Sequence, residues 1–101
     1  MSTVPAANAT GVAPTIDVTA TFSENMSPSS IDGQPFTLKE KGSSIKIAAA
    51  IGYDAATDTA TLDPSNSLRS RVTYKAVLST GAKDLAGNPL AQQYRWFFTV
   101  R

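Results

Sequence analysis

From Thr15 the chain alternates strictly, with Ile16, Val18, Ala20 and Phe22 on one side and Asp17, Thr19 and Thr21 on the other. A period of two predicts a strand with one buried and one wet face. Phe36-Thr37-Leu38 predicts a short strand, closed by Lys39 to Ser43, where Gly42 suits the positive φ of a turn. Ile45, Ile47, Ala49, Ile51 and Tyr53 then recur at every second position across Ser44 to Asp54, the longest strand expected. Ala48-Ala49-Ala50 raises helix propensity there, but the β-branched residues and Gly52 on a period of two outweigh it. Ala60 and Leu62 point inward after the polar Asp54 to Asp58 turn, which makes a hairpin ended by Pro64. Val72, Tyr74, Ala76 and Leu78 mark another strand, and Tyr94, Trp96, Phe98 and Val100 the last.

Between these runs stand turn signals. Ser27-Pro28 suits an N-cap followed by a first helical position, and with no apolar stripe after it a single turn is expected. Gly81 to Leu90 reads as a loop around Gly87, Asn88 and Pro89. Residues 1–14, broken by Pro5, Gly11 and Pro14, read as an extended lead-in or linker with one first edge strand near Val12, and 15–101 as a single domain excised from a larger protein. About seven short strands without a helix-length segment point to an all-β fold, a two-sheet antiparallel sandwich of immunoglobulin type with Greek-key connections. Phe22, Leu62, Tyr74, Trp96 and Phe98 are its expected structural residues. Tyr74, near the start of a long strand, is placed as a tyrosine corner whose hydroxyl bonds backbone a few residues upstream.

Composition narrows the functions available. The 101 residues hold no His and no Cys, so triads, thiolate nucleophiles and the usual nitrogen and sulfur metal sites are excluded, as are disulfides. Nine Lys+Arg against eight Asp+Glu, a formal +1, give no field that would steer the chain to nucleic acid. No apolar run approaches the length of a membrane helix, so no direct membrane insertion is expected, and Met1 to Pro5 lacks the charged start and apolar run of a signal peptide. Asp54, Asp58, Asp63 and Asp84 all lie in or beside turns, where Asp commonly bonds its own backbone. Calcium is their alternative reading, with Asp84 and Asn88 as two candidate ligands, although the dense ligand spacing of a calcium loop is absent. No other cofactor is expected. Trp96, Tyr74 and Tyr53 could form a sugar-stacking platform, but each shares the parity of core residues. Phe97 and Val77 have the opposite parity and form the candidate partner-contacting patch. Two glycosylation-acceptor triplets, at Asn8 and Asn25, match a pattern that arises often by chance.

Taken in order, Thr21-Phe22-Ser23-Glu24-Asn25-Met26, Ser29-Ser30-Ile31, Phe36-Thr37-Leu38, Tyr53-Asp54 and Ala60-Thr61-Leu62-Asp63-Pro64 resemble the bacterial immunoglobulin-like (Big) domains of S-layer and other surface proteins. Leu68, Tyr74, Lys83 to Leu90 and Tyr94 to Thr99 are similar to that family's last loop and strands. The chain departs from the pattern at Arg69-Ser70-Arg71 and at Phe97. The resemblance implies a non-enzymatic structural or spacer module, often in tandem, in an extracellular or cell-surface bacterial protein. Its implied partners are neighbouring domains of the same chain and, in an alternative reading, a glycan or protein at the cell surface. An accessory domain of a secreted hydrolase is a further alternative. A copper-binding periplasmic relative shares the sandwich, but its sites need His or Met clusters, and this chain has only Met1 and Met26.

Overall fold

The computed structural model describes residues 2–33 and 35–101. Among them are eight strands and one 3-10 turn: β1 (Ser2–Val4), β2 (Ala9–Val12), β3 (Val18–Thr21), the turn Pro28–Ser30, β4 (Phe36–Glu40), β5 (Ala49–Asp54), β6 (Thr59–Pro64), β7 (Thr73–Leu78) and β8 (Tyr94–Val100). They form two four-stranded sheets, the first in the order β1-β3-β6-β5 and the second in the order β2-β8-β7-β4. All pairings are antiparallel except that of β2 with β8. The fold is the expected immunoglobulin-like sandwich.

Alternation places the core. In β7 Tyr74, Ala76 and Leu78 are buried and Thr73, Lys75 and Val77 are not, and β8 repeats this with Trp96, Phe98 and Val100. The facing sheet contributes Val18, Ala20, Ala60 and Leu62 to the same apolar cluster. Phe22, just past β3, is also buried, and its N–H is held by the Asp58 carbonyl at 2.8 Å. No polar or charged residue is buried among those described.

Two sequence expectations are corrected. The segment read as a lead-in with one edge strand carries two strands, and each joins a different sheet. β1 pairs with β3 in the register Ser2↔Thr21, and β2 pairs with β8 through Ala9↔Phe98 and Val12↔Val100. Each sheet thereby gains a strand on an edge that would otherwise leave backbone groups unpaired. The strand expected over Ser44 to Asp54 begins only at Ala49, and Ile45 is 76% exposed. The reason is a change of sheet: Lys46 bridges to Lys39 and the Ile47 N–H bonds the Leu38 carbonyl at 2.8 Å, whereas from Ala49 onward the chain pairs with β6. A period of two continues through such a crossing even though the pairing partner changes.

Candidate functional site

Proline sets the 3-10 turn at Pro28, with Ser27 at the N-cap position. Its last residue, Ser30, ties this end of the sandwich to the Gly81–Leu90 loop: its hydroxyl accepts the Lys83 N–H at 2.9 Å and lies 2.8 Å from the Ser27 carbonyl. Tyr53 adds a second tie, accepting the Met26 N–H at 2.9 Å and donating to the Asp58 carboxylate at 3.2 Å. At the opposite end the Tyr74 hydroxyl accepts the Arg69 N–H at 2.7 Å, the geometry of a tyrosine corner. Its ring stacks on Phe98 with centroids 5.9 Å apart. Trp96 packs against Phe36 and Tyr94 and is 3% exposed.

Asp84 and Asn88 meet each other. The Asp84 carboxylate accepts the Asn88 backbone N–H at 2.8 Å and its side-chain amide at 3.2 Å, and the Asp84 N–H bonds the Asn88 carbonyl at 2.9 Å. Gly87, at φ +88°, supplies the turn that brings them together. These bonds, the Asn88 N–H first, hold the Asp84 carboxyl below its ordinary 3.8. Carboxylate and amide are thus engaged in closing the loop. Asp54 likewise caps its own turn, accepting the Ala56 N–H at 2.9 Å. No group of three or more His, Cys, Asp or Glu converges among the described residues. A copper centre does not fit either: there is no His or Cys, and Met26 is 2% exposed and packed in the core.

Asp63, expected in or beside a turn, stands on β6, where it pairs with Ala50. It lies against Asp17, beside a depression of ≈230 Å³ lined by Pro14, Ile16, Pro64 and Asn66. Partial desolvation, then the charge of Asp63 and a hydrogen bond with it, raise the Asp17 carboxyl above 3.8. A larger open depression of ≈530 Å³ at the Pro28 end is lined by Ser27, Ser29, Ser30, Asp32, Ser79 and Lys83.

The residues that net charge conceals lie on the outer face of the second sheet. Cross-strand pairing sets three rows there: Thr37–Val77–Arg95, Lys39–Lys75–Phe97, and Thr73–Thr99, beside which Lys41 stands with its N–H on the Thr73 carbonyl at 2.8 Å. Phe97 and Val77 therefore belong to one face, as their parity predicts. Four of the nine Lys+Arg join them, and none of these outward positions is acidic. Lys41 Nζ sits 5.8 Å from the Phe97 ring centroid, within cation–π range. Glu40, the acid on β4, has the other parity and contacts Arg69 at 3.5 Å. Counting charges along the chain missed this cluster, because only strand pairing brings Lys39 beside Lys75. The formal charge of +1 is thus unevenly spread, with four of the nine cations on this one face.

Among solved structures, PcoC, a methionine-rich copper resistance protein from Escherichia coli, is 23% identical with a TM-score of 0.80, covering 100% of this chain and 95% of that one. The N-terminal part of the bacterial S-layer protein SbsC is also 23% identical, with a TM-score of 0.71, the match covering 93% of this chain but 22% of that N-terminal part. These likenesses concern the fold. No curated protein matches the chain. The bacterial Ig-like domain family matches residues 1–100, that is, both sheets and every strand described above, and the chain belongs to that family.

Proposed function

We propose that this domain is a structural module of a larger extracellular or surface-located bacterial protein, that it works without catalysis, and that it joins its neighbours end to end. The observation supporting this is the path of the chain. Ser2 pairs with Thr21, at the end where Asp58 of the β5–β6 turn accepts the Phe22 N–H. Arg101 donates its N–H to the Val12 carbonyl and Leu68 donates to Pro14, at the end where β6 has run out to Pro64. The chain enters at one pole and leaves at the other, a geometry suited to a stalk or spacer. Family membership and the S-layer neighbour favour the same reading.

Small-angle scattering on a tandem fusion of three copies tests it. Its maximum dimension should grow by roughly the long axis of one copy, 40 Å, for each copy added. A compact particle, growing by less than half of that, would remove the end-to-end reading. One observation favours a binding role alongside the structural one: the cationic face around Phe97.

A further inference from the structure

The outer face of the second sheet carries like charges in direct opposition. Lys39 and Lys75 are cross-strand partners, and Lys46 bridges to Lys39 from the other side. Like charges directly opposite in a ladder are destabilising. In a chain with only 17% charged residues, the first sheet shows no such cationic row: its outward positions include the pairs Thr19–Thr61 and Thr21–Thr59. The repulsion is offset when an anion lies over the row.

We infer that this face, through Lys39, Lys41, Lys75, Arg95 and Phe97, binds an anionic glycan running obliquely along the strands, from Lys41 beyond β4 to Arg95 on β8. Three features select this occupant. Successive outward residues of a strand lie about 7 Å apart, and each of the three rows contributes at least one cation: Lys41, then Lys39 with Lys75, then Arg95. A linear polymer bearing an acidic group on each repeat meets a cation at every step. Phe97 stands in the middle row, where its apolar ring can cover sugar C–H groups, as aromatic faces do. Around it Thr37, Thr73 and Thr99 supply hydroxyls that donate and accept. A shallow depression of ≈220 Å³ beside Phe97, bordered by Asn8, Lys41, Thr73 and Thr99, gives the chain of sugars an edge to follow. A second copy of the domain is a poorer complement, because the outer face of its first sheet keeps its carboxylates apart, Asp17 with Asp63 at one end and Asp54 at the other, with threonines between.

Polygalacturonate, a carboxylated sugar polymer, is the probe, with neutral dextran and polyuridylate beside it. Titration should move the amide signals of Lys39, Lys75 and Phe97, and affinity should fall as salt rises. Lys75→Glu should weaken binding about tenfold, the effect of reversing one unit charge about 6 Å from an anion in water. Lys83→Glu makes the same change in net charge at the far loop and should leave affinity within about twofold. Lys41→Glu, just beyond the end of β4, gives a second reading that does not depend on the ladder. Phe97→Ala should weaken polygalacturonate binding while leaving the melting temperature nearly unchanged. The proposal fails if polygalacturonate does not bind, if dextran binds equally, or if Lys83→Glu is as damaging as Lys75→Glu. Polyuridylate binding as tightly as polygalacturonate would also overturn it and name nucleic acid as the partner. Its outcome is independent of whether the tandem fusion is extended.

Discussion

Toward the core, the first sheet presents Val18, Ala20, Ala60 and Leu62, with Ile51 and Tyr53 half-buried beside them, whereas the second presents Val12, Phe36, Leu38, Tyr74, Ala76, Leu78, Trp96, Phe98 and Val100. Ala20 and Ala60 are direct cross-strand partners, and both are fully buried. Sheets of a sandwich stand about 10 Å apart, so bulk on one inner face demands small side chains on the other. The second sheet therefore supplies most of the apolar volume and the first supplies the space to receive it. Outside, the difference takes another form. Each sheet has a threonine pair bonded across strands, Thr21–Thr59 at 3.0 Å and Thr73–Thr99 at 2.9 Å, but only the second adds cations and an aromatic ring. The sheet that carries more of the bulky core residues also carries the cationic outer face.

The largest test of this asymmetry is Phe98→Ala, expected to cost about 3–5 kcal/mol. That is a large part of the roughly 5–15 kcal/mol that holds a domain together. Leu62→Ala in the first sheet should cost less, and urea denaturation giving equal losses would erase the contrast. Ala60→Leu tests the same idea from the receiving side. Added methylenes have no room there, and a loss of about 1–3 kcal/mol is expected, where a tolerant site would show the first sheet to be loosely packed. Tyr74→Phe removes the bond to the Arg69 N–H and should cost about 0.5–1.5 kcal/mol. An unchanged urea midpoint would show that the ring alone holds the corner.

The smallest effects are electrostatic. Asp17 is raised above 3.8, so its favourable contribution is complete below that value and is lost as pH climbs through the raised one. At neutral pH the Asp17–Asp63 pair is a net cost. Asp17→Asn should therefore stabilise the domain at pH 7 by no more than about 0.5 kcal/mol, since exposed pairs are screened, and the gain should vanish in acid. Asp84 runs the other way: its loop is supported above 3.8 and weakened as pH falls through its lowered value. Amide exchange at Gly87 and Asn88 should quicken in acid, and rates independent of pH after correction for intrinsic exchange would discount the carboxylate's part in closing the loop.

Much of this was legible in the chain before folding. Val18 and Ala20, Ala60 and Leu62, Tyr74 to Leu78, and Trp96 to Val100 declare their faces by alternation, because a strand buried on one side admits one register only. Pro28 set its own turn through its locked φ. Asp84 and Asn88 were legible as a pair, though as ligands rather than as the two ends of one closed loop. Ile45 misled because it lies in the turn just before Lys46 bridges to Lys39, outside any strand, where a period of two has no buried face to assign.

The sequence by itself determined that this is a β-sandwich with an aromatic core and no His or Cys chemistry, since side-chain period and residue type are local properties. Tertiary structure alone decided what depends on neighbours distant in the chain. It split residues 2–12 between two sheets, laid β2 parallel to β8, set Asp17 against Asp63, and gathered Lys39, Lys41, Lys75 and Arg95 around Phe97. Alternation fixes a residue's face without naming the strand beside it, and a charge cluster exists only once strands far apart in sequence have paired.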